Sequence, residues 1–446
     1  MALATALRVV FALAFPAIHG GDASARLAHA DTLILGYQLP LPQVFVALGK
    51  WLADDPLIVR LVFCAWGGAL AAGVAALLAR TLGARAALFG GLLLSFDPLL
   101  THYSIVPYQE PVAYALLAWA FFCASTGRAV IGGLLMAAAC LSRYEAWLFL
   151  PIFWWVSRSR IAVLLGAAPV LGWVLWWQGL APRGLYVLDI DVQANRLSRV
   201  VYLAGKFVEY ESAAIVALAL VALVLAARLR TQVVLKFAGA LAIVIAVAVA
   251  LGHEYPPGSG LMSERLIHLP VLVALSLAAF ALARVSAMSR AAFAAALGMT
   301  LLLAGRNLRF ERALLRAAAA DPDLALARDV ARAIEAHRRP TECVTVIAPA
   351  VDPALLDAYV AKVGTAFGDV DRARAQADLL RDVSPDRDRI AAHLKSKTGT
   401  VRAEPGCPLL VVVDPAGDPG QALGNGTLLE EVSAGPRRAR VLRTRE

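Results

Sequence analysis

Apolar runs of near membrane-spanning length recur through the first 305 residues of this 446-residue chain, and they constrain its fold more than any other feature. A bilayer core of about 30 Å needs ~20 helical residues, within a range of ~17–25. Runs of that kind stand near 3–19, 58–79, 86–104, 110–127, 129–142, 144–157, 161–178, 212–228, 232–252, 266–283 and 291–305. They suggest about eleven spans, of which those near 129–142, 144–157 and 291–305 are short. Composition agrees, with 60% hydrophobic and 17% charged residues, whereas soluble domains are roughly half apolar and a quarter charged. Charge is unevenly placed: 13 acidic and 20 basic residues fall up to position 305, and 20 and 22 after it. The net +9 therefore divides as +7 and +2. The expectation is a polytopic α-helical membrane domain over 1–305 and a small C-terminal α/β domain over 306–446. A purely soluble enzyme, a disordered chain, a coiled coil and a small disulfide scaffold are excluded. Nucleic acid is not an expected partner, because the basic excess sits in the hydrophobic part, where the bilayer accounts for it.

The charges between the runs supply an orientation. On alternate connections stand Arg80 and Arg85, then Arg128, Arg158 and Arg160, Arg228 and Arg230, and Arg284 and Arg290, with no carboxylate among them. By the positive-inside rule that side is cytoplasmic. All 13 acidic residues up to position 305 fall in the opposite set or near its side of a span. The N-terminus is then inside and, after an odd number of spans, the C-terminal domain is outside the cytoplasmic membrane. A rival reading treats residues 1–25, which end in DASA, as a cleaved leader. Arg8 interrupts that apolar run and removal would break the charge alternation, so the sequence favours an uncleaved first span.

Candidate chemistry lies in the outside loops. The first runs from His19 to about Pro56, with Asp22 at the end of the first span. Leu27, Ala30 and Ile34 recur at helical spacing, which predicts a short helix lying on the membrane with Asp22, Arg26 and His29 on its polar face. Pro40 and Pro42 stop it and start a second short helix. By spacing alone, a helix N-cap at the membrane surface is the better fit for Asp22. The second loop, SFDPLLTHYSIVPYQEPVAY, places Glu110 just before Pro111, a residue suited to the first position of a helix. The helix dipole there favours the ionised carboxylate, which suits an anchor for sugar hydroxyls or a metal better than a proton acceptor. Asp97, ahead of Pro98, reads as a turn residue, and His102 as a polar contact or a ligand. Further on, SRYEAW sets Arg143 beside Glu145 at the next outside boundary, where the two charges compensate each other. SERLIHLP returns Arg265 to the outside face, either as a fork for phosphate oxygens or as a snorkelling anchor. No metal-ligand cluster, nucleophile elbow, phosphate loop or dinucleotide fingerprint occurs.

The order of these segments resembles the GT-C glycosyltransferases that use polyprenyl-phosphate sugars, among them protein O-mannosyltransferases and lipid A aminoarabinose transferases. Asp22 stands where that family has an acidic pair after its first span, LPLP (39–42) where it has a proline-rich stretch, and Glu110 where a second acidic motif opens the fourth span. SRYEAW and SERLIHLP resemble two further segments of bacterial members. The chain departs from the pattern at Ala23, usually Glu, at Leu41, which splits the double proline, and at Glu110, usually Asp. The resemblance implies transfer of a hexosyl or pentosyl unit, mannosyltransferase-like, from a polyprenyl-phosphate donor to an envelope glycan, lipid or protein. Asp22 would be the base, Glu110 the sugar or metal anchor, Arg265 and Arg143 the phosphate partners, and Glu145 and His102 further substrate contacts. Transfer of this kind needs no organic cofactor, and the residue spacing does not call for a divalent ion, although the resemblance leaves room for one. Two other readings stay open at this stage: a transporter or flippase of an envelope precursor, and a catalytically silent relative.

In the C-terminal stretch, Leu324, Ala327, Val330, Ala331 and Ile334 fit an amphipathic helix to about His337. CVTVIAP (343–349) and PLLVVVDP (408–415) read as short buried strands, residues near 353–363, 370–383 and 386–396 as helices between them, and 427–443 as a terminal hairpin. Cys343 and Cys407 each begin one of those strands; if the strands are parallel neighbours the pair is a disulfide candidate, whereas Cys64, Cys123 and Cys140 fall within spans. Asn425 is a glycosylation sequon in spelling only.

Overall fold

A computed structural model of the chain describes residues 1–15, 39–53, 55–180, 196–229, 267–319, 344–347, 409–414, 426–434 and 437–444, with isolated positions between them. In chain order the described helices are α1 (Ala2–Ala14), α2 (Leu41–Leu52), α3 (Pro56–Leu82), α4 (Ala84–Ser95), α5 (Pro98–Ser104), α6 (Gln109–Ser125), α7 (Ala129–Cys140), α8 (Leu150–Ser157), α9 (Arg160–Leu180), α10 (Arg196–Tyr210), α11 (Ala213–Arg228), α12 (His268–Ser286) and α13 (Arg290–Ala319). The strands are β1 (Val344–Ile347), β2 (Leu409–Asp414), β3 (Gly426–Ala434) and β4 (Arg437–Thr444). Two compact units result: Met1–Ala14 with Arg60–Ala313, and Phe15–Val59 with Leu314–Glu446.

Among the described residues three helices are long and apolar enough to cross a membrane: Pro56–Leu82, His268–Ser286 and Arg290–Ala317. The number rises to five if each of two bent helix pairs is one span, and Ala2–Ala14, Ala129–Cys140 and Arg160–Leu175 are shorter apolar helices. Eleven straight crossings are therefore not what the described helices present. The run near 86–104, expected as one span, is broken into α4 and α5 by a 60° bend. Pro98 is the cause: it offers no N–H and pushes the preceding residue out of helical conformation. Asp97 is accordingly extended, and its carboxylate accepts the Leu100 N–H at 2.8 Å, capping α5. The run near 144–157 is likewise divided, into a 3-10 turn (Tyr144–Phe149) and the short α8. A second bend, of 103°, separates the end of α10 from α11, where the Ser212 hydroxyl accepts the Ile215 N–H. The run near 232–252 lies almost wholly outside the described residues.

Small residues decide how the first unit packs. α6 has no polar face beyond its first turn and is buried over nearly its whole length, as a helix apolar all round must be. α7 presents Gly132 and Gly133 to its neighbours: a Cβ at Gly132 would sit 2.9 Å from the Ala120 carbonyl, and one at Gly133 would sit 2.8 Å from Ala162 Cα. Close approach through small residues is the usual way apolar helices associate when lipid offers no hydrophobic gain. α13 continues without a break past residue 305 as far as Ala319.

In the second unit α2 buries Pro42, Gln43, Val46 and Gly49, the positions that share one helical face. Gln43 donates to the Arg26 carbonyl at 2.9 Å, and Arg26 is buried. Arg26, expected on the polar face of the first loop helix, is thus buried, while Asp22 and His29 of that face lie outside the described residues. The four strands form a mixed sheet ordered β1-β2-β4-β3, with β1 and β2 parallel and the other neighbours antiparallel. The expected strand pair and terminal hairpin are thus present, with Val432, Val441 and Leu442 buried. His337 pairs with Glu430 at 2.9 Å and its carbonyl accepts Arg443, tying that segment to the sheet. The helices expected between 353 and 396 lie outside the described residues.

Candidate active site

Glu110 is the second residue of α6 and is wholly buried, at 0% exposure. A carboxylate there costs several kcal/mol unless it is paired. Arg143 supplies the pairing. It reaches its position because the chain leaves α7 through an extended residue, φ −149° and ψ 143°, before the 3-10 turn begins. Its Nη1 donates to Glu110, while Nη2 and Nε donate to the two oxygens of Glu145. The fork on Glu145 is the bidentate geometry for which a guanidinium is suited. Burial works against the charge of Arg143, and the two carboxylates outweigh it, holding the guanidinium firmly protonated. Burial would likewise lift the Glu145 carboxyl, yet Arg143 beside it holds the group below its ordinary value. Formally the trio pairs one guanidinium with two carboxyl groups.

An aromatic group continues from this trio. Tyr114, one helical turn beyond Glu110, feels the charge of Arg143 and lies face to face with His268, ring centroids 6.2 Å apart. His268 meets the Tyr103 ring edge-on at 4.5 Å, and Tyr103 touches both Tyr108, at 4.8 Å, and His102, at 5.5 Å. His102 stands 3.8 Å from Glu311 of α13. The structure therefore brings Glu110, Arg143 and Glu145 into direct contact and places His102 beside another carboxylate. Asp22, Arg265, Cys343 and Cys407 lie outside the described residues. Among the described residues no three His, Cys, Asp or Glu side chains are arranged to hold a metal ion.

No family model and no curated protein matches the sequence. Solved structures do. ArnT from Cupriavidus metallidurans bound to undecaprenyl phosphate is similar with a TM-score of 0.60 and 15% identity, over 98% of this chain and 97% of that one. Its apo state gives 0.58 and 16% over the same shares. The chain has the ArnT fold. The likeness to lipid A aminoarabinose transferases drawn from the residue motifs thus holds at the level of the fold.

Within that ArnT fold several buried groups went unread in the sequence. Arg8 was visible only as an interruption of an apolar run; it is buried, and it donates to the carbonyls of Ala4, Leu94 and Ser95. Asp97 contacts Glu211, 114 positions away, and Glu311 is a further buried carboxylate. An ionisable residue inside a membrane-length helix was the available signal.

Proposed function

We propose that this protein is a membrane glycosyltransferase that moves a sugar from a polyprenyl-phosphate donor to an acceptor hydroxyl at the outer face of the cytoplasmic membrane. The fold shared with ArnT over nearly the whole chain carries the reading, together with a buried Glu110 held by Arg143 where the motif order expects an acidic anchor. In the reaction the acceptor oxygen attacks the anomeric carbon and its proton passes to Asp22. The bond from that carbon to the phosphate oxygen breaks, and the polyprenyl phosphate leaves with the electron pair. General-base help of this kind is worth ~10²–10⁴-fold. Arg265 balances the charge growing on the phosphate. Arg143, with three nitrogens committed to carboxylates, fixes Glu110 for the sugar hydroxyls. We assign transfer to 1–305 and guidance of the acceptor to 306–446.

Membranes holding the protein, incubated with radiolabelled polyprenyl-phosphate sugars, test this directly. Label should move to an envelope glycan, lipid or protein, and Asp22→Asn should lower the transfer ~10²–10⁴-fold while expression stays normal. The buried carboxylates Asp97, Glu211 and Glu311 favour one second reading, transport of an envelope precursor, since such groups line transport paths. Substrate-stimulated flux in liposomes without covalent transfer would establish transport and refute the transferase.

A further inference from the structure

The bend between α10 and α11 marks where the membrane surface runs along the first unit. α11 packs on α12, one of the candidate spans, through Ala222, Ala226, Phe280 and Ala281, so it belongs to the bilayer with that helix. The last two turns of α10, Leu203–Tyr210, lie at 103° to α11. A segment at that angle to a membrane-crossing helix runs along the surface. Its composition agrees: α10 reads RLSRVVYLAGKFVEY, with Arg196, Arg199, Lys206 and Glu209 among apolar residues. That mixture suits a helix lying in the interface and not one crossing hydrocarbon.

α13 meets the bend at a defined level. Arg306 donates to the carbonyls of Glu209 and Tyr210 left open at the end of α10, and Phe310 meets the Tyr210 ring edge-on at 5.6 Å. Arg306 therefore sits at the membrane boundary. On its bilayer side Leu301 and Leu302 are 54% and 77% exposed, as lipid-facing residues are. On its other side Arg309 and Arg312 are both exposed. At 1.5 Å of rise per residue they stand about 4.5 and 9 Å beyond Arg306. The headgroup layer is roughly 5–8 Å deep, and helical side chains lean toward the N-terminus, which here points back to the bilayer.

The two levels form one stripe. Arg309 lies two turns beyond Leu302 and Arg312 three turns beyond Leu301, so leucines and arginines share a helix face. Glu311, between the arginines in sequence, is buried toward His102 and does not cover that face. Among the described residues the ion pairs involve neither Arg309 nor Arg312. Side chains three positions apart on a helix are neighbours, and two guanidinium forks at that spacing match the oxygens of one phosphate.

We propose that Arg309 and Arg312 bind the phosphodiester headgroup of an anionic phospholipid whose acyl chains lie along Leu301 and Leu302. The stripe selects for both parts of that molecule. A free phosphate has no chains for the leucines, and a zwitterionic lipid brings its own cation to its phosphate.

The full chain in phosphatidylcholine nanodiscs, with a trace of spin-labelled phosphatidylglycerol or spin-labelled phosphatidylcholine, tests this without any sugar donor. The fraction of probe immobilised by the protein is read. Phosphatidylglycerol should be preferred at low salt, by up to about fivefold for each arginine engaged. The double variant Arg309→Gln, Arg312→Gln should hold the two probes alike. Equal retention by the unmutated chain, or an unchanged preference in the variant, would overturn the site. Inorganic phosphate should displace no more probe than sodium chloride of equal ionic strength; greater displacement would assign the arginines to a free anion and refute the lipid. Should the variant not fold, a photoreactive phosphatidylglycerol on the unmutated chain decides the matter. Adducts within residues 301–312 are expected, and attachment confined to other helices would refute the proposal.

Discussion

Arg143 sits between two carboxylates, and its shape matters as much as its charge. Arg143→Ala leaves Glu110 buried without its partner, which should cost ~3–5 kcal/mol of stability. Arg143→Lys keeps the charge and loses the fork. It should fold, melt a few degrees lower, and transfer sugar more slowly through a raised KM for the donor; a normal KM would show that Arg143 does not set the anchor. Glu145 adds a pH signature of its own. Its carboxyl is held below the ordinary value, so the stability it contributes is present at neutral pH and lost as pH falls below the ordinary carboxylate range. Glu145→Gln should weaken that acid-side loss in a melting series, and an unchanged acid limb would count against the pairing. Asp22→Asn tests the base on its own and should lower transfer ~10²–10⁴-fold. At this scale the sequence marked Glu110, Arg143 and Glu145 and the pairing of the last two, but not their contact with Glu110. Arg143 and Glu145 are two residues apart and easily paired on paper, whereas Glu110 is 33 positions away and joins them only through helix packing.

Element boundaries were largely legible, because a change from apolar to polar residues is what ends a helix at a membrane surface. α6, expected near 110–127, spans Gln109–Ser125, and α11, expected near 212–228, spans Ala213–Arg228. The bends were harder to read. Asp97-Pro98 announced the first in local chemistry, but nothing in the run signalled that the bend would serve as a contact with Glu211. The sheet supports a further expectation. β1 and β2 are parallel neighbours, with Val344 opposite Leu409, the arrangement that the Cys343–Cys407 pairing requires. A bond would close a loop of about 64 residues and, in the chain-entropy view, stabilise by roughly 4 kcal/mol. Thiol counting on denatured, unreduced protein should find three free thiols; five would rule the bond out.

For the whole molecule, the arginines between the apolar runs lead us to propose an inside N-terminus and an outside C-terminal domain. A reporter that works only outside the cytoplasm should be active when fused after Glu446 and silent when fused near Arg160. The reverse pattern would invert the orientation and move the proposed site to the wrong leaflet. Fold and membrane character were readable from hydropathy, and the ArnT fold agrees with the motif order. The grouping of Phe15–Val59 with the C-terminal residues was not readable, since no local pattern records which distant segment a loop packs against.

Arg8 has a consequence for how the chain is made. A guanidinium in the middle of a membrane helix opposes insertion by about 2.5–3.5 kcal/mol on translocon scales. Its long-range partners are carbonyls 86 and 87 residues downstream, at the end of α4. The first helix is made before the groups that satisfy Arg8, so we expect α1 to settle only once α4 has arrived. The expected order of settling then runs against the order of synthesis. Arg8→Leu should let α1 enter the bilayer at once, and the cost should appear afterwards, as a finished protein whose first bend has lost its clasp.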